Sequence, residues 1–321
     1  MKYRAGRAPA AAGESTRTVA IAFAANLGVA AAKTAAAVVT GSASMVAEAA
    51  HSWADTGNEV LLLVADRRGR RAPDTKRPLG YGRETYVWSL LAAVGLFVAG
   101  AAVSVWHGIT SLIHDHAGGE SYLLAYVVLA VAFVLEGTSL LQAVRQLRGE
   151  ARELEVDVLD YALDTSDSTL RAVFAEDSAA LVGIVLAAAG LALHEITGSA
   201  VWDAIGSIAV GVLLGVVAIV LIDRNRRFLT GEPGSNALRE AVIERIERLD
   251  PVRQVRFVRL EFTGPRQLFV VASVDLVGDS AESRVAHTLR ALERELERDE
   301  HVVDVVLTVA EPDERDISTP E

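Results

Sequence analysis

The sequence contains no cysteine. That absence excludes disulfides, thiolate metal sites and cysteine nucleophiles together, so any metal held here is held by His, Asp, Glu, Asn or backbone oxygen. It also contains no HExxH run, the pattern that an intramembrane metalloenzyme would use to set a zinc ion beside a general base. There is no internal repeat and no low-complexity tract beyond an Ala-rich leader. Charge is scarce from about Thr18 to Ile222, and three connections in that stretch (Gly41–Ala43, His114–Ser121 and His194–Ala200) have neither Lys nor Arg.

What the chain has instead is apolar length followed by an acidic tail. Hydrophobic residues make up 51% of the 321 residues and charged ones 23%, which is compatible only with an uneven distribution. From residue 230 onward there are 12 Arg against 20 Asp plus Glu, a formal −8 of the net −11. An acidic tail of this kind repels nucleic acid, so no nucleic-acid partner is expected.

A bilayer span needs roughly 20 mostly apolar residues. Six stretches qualify: Val19–Thr40, Ser44–Ala65, Tyr86–Ile113, Tyr122–Leu147, Leu170–Leu193 and Val201–Ile222. Several are rich in Ala and Gly, which suits close helix–helix contact. The predicted class is therefore an α-helical membrane protein of six transmembrane helices. Orientation follows from the positive charges. Lys2, Arg4, Arg7 and Arg17 precede the first span, and seven Lys or Arg lie from Arg67 to Arg83. Arg145, Arg148 and Arg152 follow the fourth span, and Arg224, Arg226 and Arg227 close the sixth. Both termini are thus expected in the cytoplasm, and the basic start reads as a cytoplasmic lead into a first span rather than a cleaved signal peptide.

After the last span, Leu238–Leu249 and Ala281–Arg298 carry helical periodicity. Val255–Phe262, Leu268–Leu276 and Val302–Val309 carry strand periodicity, the first two joined by a Gly264-Pro265 turn. The order α-β-β-α-β predicts a small antiparallel or mixed sheet with helices on one face. The expected division is a leader over 1–17, a six-helix domain over 18–228, an α+β domain over 229–312 and a disordered tail over 313–321.

Ionisable side chains at membrane depth are costly and therefore functional candidates. His51 and Asp55, in EAAHSWADTGN of the second span, share one helix face at i, i+4. Imidazole nitrogen with carboxylate oxygen is half of a tetrahedral zinc shell. The alternative is that His51 hydrogen-bonds Asp55 and only holds helices together. In the fifth span, AVFAEDSAAL offers Glu176 and Asp177, about 100° apart around the helix, so one of them readily faces the same point. Asp177 is the preferred ligand, with Glu176 as its supporting group or substitute. The alternative for this pair is an encounter with Arg171. Asn26 and Glu136 are accessory candidates, Glu136 as ligand or proton carrier. Asp203 reads as a helix cap. Glu48 sits on a neighbouring face toward the outer mouth, and His107, His114 and His116 gather near the outer end of the third span.

TGSASMVAEAAHSWADTGNEVLLLVADRR followed by RPLGYGRETYVW resembles the cation diffusion facilitator family, over about residues 18 to 312. AEDSAAL resembles the branch of mitochondrial-type zinc transporters. The resemblance implies a homodimeric antiporter that exports Zn²⁺, or Mn, Fe, Co or Cd, from the cytoplasm in exchange for protons. It also implies a metallochaperone-like cytoplasmic domain and no prosthetic group. By position, His51, Asp55 and Asp177 match the family's ligands, whereas Val173 stands where a fourth ligand is common and Glu176 is offered instead. Arg77 replaces the His of the family's HPFGYG loop, so no metal site is expected there. With only His287 and His301, the cytoplasmic domain is expected to dimerise without holding zinc tightly. In a bacterium the location would be the plasma membrane. The rival from another class is a non-transporting scaffold or metal sensor whose buried charges are structural.

Overall fold

A computed structural model describes residues 16–113, 122–153 and 156–311. His114, His116, nearly all of the leader and the 313–321 tail lie outside them. Among the described residues, five helices are long and apolar enough to cross a membrane: α1 (Thr16–Thr40), the continuous pair α3 (Arg83–Ala92) and α4 (Val98–Ile113), α5 (Leu123–Glu153), α7 (Ser168–Thr197) and α8 (Val201–Thr230). A single π turn, Ala93–Phe97, joins α3 to α4.

The sixth span, α2 (Ala43–Gly69), is as long as the others but too polar to qualify by composition. Its position explains the exception. It packs against α1, α3, α4, α7 and α8, so protein rather than lipid surrounds its polar residues. The lipid-type surface lies elsewhere, for example on α5, where Leu124, Val127, Val131, Val134 and Leu135 are exposed.

Local chemistry fixes where α2 begins. Gly41, at φ +65°, takes the left-handed conformation that ends α1. Ser42 then caps α2, its Oγ accepting from the Met45 N–H at 3.1 Å. Asp203, in the first turn of α8, caps this neighbouring helix across the bundle. Its carboxylate accepts from the Ala43 N–H (2.5 Å), the Ser44 N–H (3.2 Å) and the Ser42 hydroxyl (2.7 Å). The anticipated cap is present, but it serves α2. Small residues let the helices close up: a Cβ on Gly211 of α8 would fall 2.9 Å from the Val105 nitrogen of α4.

A short helix, α6 (Val158–Asp164), follows α5, and the α+β unit follows α8. It comprises α9 (Asn236–Glu247), β1 (Val252–Gly264), β2 (Gln267–Leu276), α10 (Glu282–Leu296) and β3 (Val302–Val309). The sheet order is β1-β2-β3. β1 and β2 form an antiparallel hairpin, whereas β2 and β3 pair in parallel, which requires the crossover that α10 provides. Ile246, Leu292 and Leu296 from the helices cover Val255, Val270, Val274 and Leu307 of the sheet.

The hairpin tip docks against the helical bundle. The Arg266 N–H donates to Ser166 Oγ at 3.0 Å and its guanidinium pairs with Glu150 of α5, while Arg83 of α3 pairs with Glu261 of β1. Tyr86 stacks on Phe228 at 5.1 Å, and Phe228 meets Phe262 edge-on at 5.5 Å. This end of the bundle therefore carries the connections that the sequence makes rich in Arg.

Candidate metal site in the helix bundle

Glu48, His51, Ser52, Asp55, Asn58 and Glu59 recur at three- and four-residue steps along α2, so they form one polar stripe about 16 Å long. His51 and Asp55 stand side by side, Nε2 to Oδ2 at 3.6 Å, with His51 fully buried. That distance is too long for a hydrogen bond. Both His51 ring nitrogens and Asp55 Oδ1 are buried without a hydrogen-bond partner among the described residues. A buried polar atom left unpaired costs about 1–3 kcal/mol, so helix cohesion alone does not account for the pair.

The acidic residues of α7 and α5 face this stripe. Glu176 accepts from Asn58 Nδ2 at 2.5 Å. Asp177 lies against Glu136 and Ser139 of α5 and keeps Oδ2 unpaired. Asp55 is within electrostatic reach of Glu176, Glu136 and Asp177 together. Asn26 of α1 donates to Glu59 Oε1 at 2.6 Å, one turn along α2 from Asp55. His51 with Asp55 on one side and Asp177 with Glu136 on the other thus remain two half-sites. Among the described residues no three of His, Asp and Glu converge closely enough to hold an ion. The donor set of one imidazole and several carboxylate oxygens suits a borderline cation such as zinc, and the unpaired atoms are where a shell would form.

Arg171, the alternative partner for the α7 carboxylates, turns away from them. It donates to the Thr165 carbonyl at 2.6 Å and to Asn225 Oδ1 at 2.8 Å, and it lies over the Phe228 ring. In the loop before α3, Arg77 lies over the Tyr81 ring at 4.8 Å and pairs with Glu84. The Tyr81 hydroxyl donates to Asp74 at 2.7 Å and holds that carboxyl below its ordinary range. His301 sits 3.2 Å from Asp299, at the surface.

One central residue lies outside the candidates that the sequence motifs offer. Lys33 of α1 is completely buried, and its ammonium lies 2.8 Å from Glu48 Oε2, itself completely buried. The signal was available: a lysine in the middle of the first apolar stretch breaks the same depth rule that exposed His51 and Asp55. Asn58 and Glu59 carry no signal of their own in the sequence, because they gain meaning only from their partners on other helices, Glu176 and Asn26.

A family model for the cation efflux transmembrane domain matches residues 19–229. The chain is 37% identical over 241 residues to the proton-coupled zinc antiporter SLC30A9, mitochondrial, of Xenopus laevis, covering 75% of this chain and 43% of that protein. Against the human protein of the same name the identity is 36% over 241 residues, covering 75% and 42%. Metal tolerance protein C4 of Arabidopsis thaliana is 37% identical over 234 residues, covering 73% and 51%. The chain spans less than half the length of the antiporters it matches.

Proposed function

The chain belongs to the cation efflux, or cation diffusion facilitator, family of multi-pass membrane transporters, and from that premise we propose that it moves Zn²⁺ out of the cytoplasm in exchange for protons. His51, Asp55 and Asp177 are the ligands, with Glu176 as substitute for or support to Asp177. Glu136 and Asn26 border the path. The observation that carries this reading is the buried His51–Asp55 pair on α2, its nitrogens and one oxygen unpaired, across from acidic α7.

Ligation requires neutral imidazole and ionised carboxylates, so a zinc ion entering expels protons and returning protons expel the ion. The half-sites on α2 and α7 close around the cation as it binds. Rocking of the helices about this level then exposes it alternately to either side. The Arg-rich end of the bundle, with the α+β unit, lies in the cytoplasm. The working unit is a homodimer joined in part through the α+β unit. That the relatives include proteins named zinc antiporters supports the choice of ion and of proton coupling.

Zinc uptake into proteoliposomes under an imposed pH gradient tests the proposal. The native chain gives gradient-driven uptake. Asp55→Asn lowers it by about 100-fold or more, the upper end of what losing even a supporting group of a metal site costs. Uptake by Asp55→Asn equal to that of the native chain would sink the ligand assignment. Rescue of a zinc-sensitive host by the native chain but not by His51→Ala separates a transporter from a scaffold, which rescues in neither form.

A further inference from the structure

Lys33 is a positive charge in the middle of a body whose proposed cargo is positive, and the ligand set does not use it. Its only hydrogen-bond partner among the described residues is Glu48, at 2.8 Å, and both side chains are wholly shielded from solvent. Glu48 precedes His51 by three residues, roughly 4.5 Å along α2 toward the α1–α2 turn. The other Glu48 oxygen, Oε1, is buried and unpaired, and it presses on the backbone of α7: a Cβ on Gly183 would fall 2.6 Å from it. Lys33, Glu48 and Gly183 thus bring α1, α2 and α7 together at one level, beyond the His51–Asp55 pair on the side away from the α+β unit. Among the described residues, Glu136 of α5 and Asp55 of α2 also lie within electrostatic reach of Lys33.

We propose that the Lys33–Glu48 ion pair is the closure of the metal path on the side of the α1–α2 turn, and that Lys33 acts there as a tethered cation that prevents zinc from slipping through uncoupled. The inference rests on the transport reading above. A divalent ion leaving His51 and Asp55 in that direction meets an ammonium, and like charges in a poorly screened interior repel strongly. Glu48 can receive the ion only after releasing Lys33. The freed ammonium has carboxylates within electrostatic reach, Asp55 and Glu136, and Asp55 is one of the ligands that a departing ion vacates. The exchange keeps the buried charge balanced and blocks return. A buried ion pair contributes little net stability compared with a well-packed neutral pair, which leaves a role in specifying the closed arrangement as the better account of its presence.

The test measures zinc flux into proteoliposomes with and without a pH gradient, alongside zinc-induced thermal stabilisation of the purified full chain. Lys33→Met alone would strand a buried carboxylate, so it is combined with Glu48→Gln. Gly183→Ala displaces only the mobile end of Glu48 and leaves both charges in place. The double variant is expected to keep its zinc-induced stabilisation but to pass zinc without a gradient at least about tenfold faster than the native chain, the change that roughly 1.4 kcal/mol of lost barrier produces. Gly183→Ala should move gradient-free flux in the same direction by a smaller factor, and it decides the matter should the double variant not fold. Native gradient-free flux in these variants overturns the closure, as does a double variant that binds zinc but passes none under either condition. If the native chain itself carries no zinc, the transport reading fails and the closure with it. If the native chain is coupled and the variants match it, only the closure fails.

Discussion

His51 can bind a cation only through a nitrogen lone pair, and it accepts a proton at the same place, so metal and proton compete for one atom. Asp55 repeats this competition at its oxygens 3.6 Å away. Such competition becomes transport only where water cannot bypass it, and His51 is fully buried. Asp203 is the instructive contrast. It is also a buried carboxylate of the bundle, but its oxygens are taken by the Ser42 hydroxyl and by the Ala43 and Ser44 N–H groups. Saturated with donors, it acts as a structural cap. Asp203→Ala is expected to destabilise the protein by about 1–3 kcal/mol, the cost of stranding buried donors, while zinc still produces its full stabilising shift. Thermal unfolding with and without zinc checks this, and loss of the zinc-induced shift would place Asp203 in the ion's path instead.

At the scale of elements, α2 carries most of the account, and it is the span that composition describes least well. Hydropathy treats each helix as facing lipid all round, whereas α2 is enclosed by five other helices and can carry a polar stripe. Its motif residues were nevertheless legible, because a histidine and an aspartate one turn apart inside an apolar run have few uses. Lys33 was equally visible by depth, but a lone lysine offers no pattern, and only its approach to Glu48 from another helix gives it meaning. The cap that Asp203 places on α2 joins residues 160 positions apart and could not be read from local sequence. The elements of the α+β unit were legible in their order, its strands and helices lying close to the periodic segments because each buries one face against a single core, whereas periodicity alone leaves open the parallel pairing of β2 with β3. Its docking was not legible, since it depends on the hairpin tip meeting the loop before α3. Gly82 marks that meeting: a Cβ there would fall 2.6 Å from the Thr263 carbonyl and 2.7 Å from the Gly264 Cα. Gly82→Ala is therefore expected to push the tip off the bundle at a cost of about 1–3 kcal/mol. Limited proteolysis at the hairpin would register the change, with Gly149→Ala, which has open space around it, as the silent control. Equal cleavage in the two variants would contradict the docking.

Over the whole molecule, charge is segregated by role. Arg-rich connections and an acidic α+β unit meet at one end, tied by Arg83 to Glu261 and Arg266 to Glu150. The middle holds carboxylates from α2, α5 and α7 with Lys33 among them, and the far end carries the cap that Asp203 places on α2. On the transport reading proposed above, this ordering would serve as a path of carboxylates through a lipid-embedded body, with proton exchange as the means of filling and emptying it. Transport assays report the outcome of the whole cycle, whereas the exchange itself can be measured at one step. Adding zinc to the purified chain in weakly buffered detergent solution with a pH indicator counts the protons released per ion bound. The account predicts release of about one or more protons per zinc by the native chain and a clear fall in that number in His51→Ala and Asp55→Asn, since the ligands must deprotonate to bind. Zinc bound with no proton released, or the same release from the variants, would contradict it.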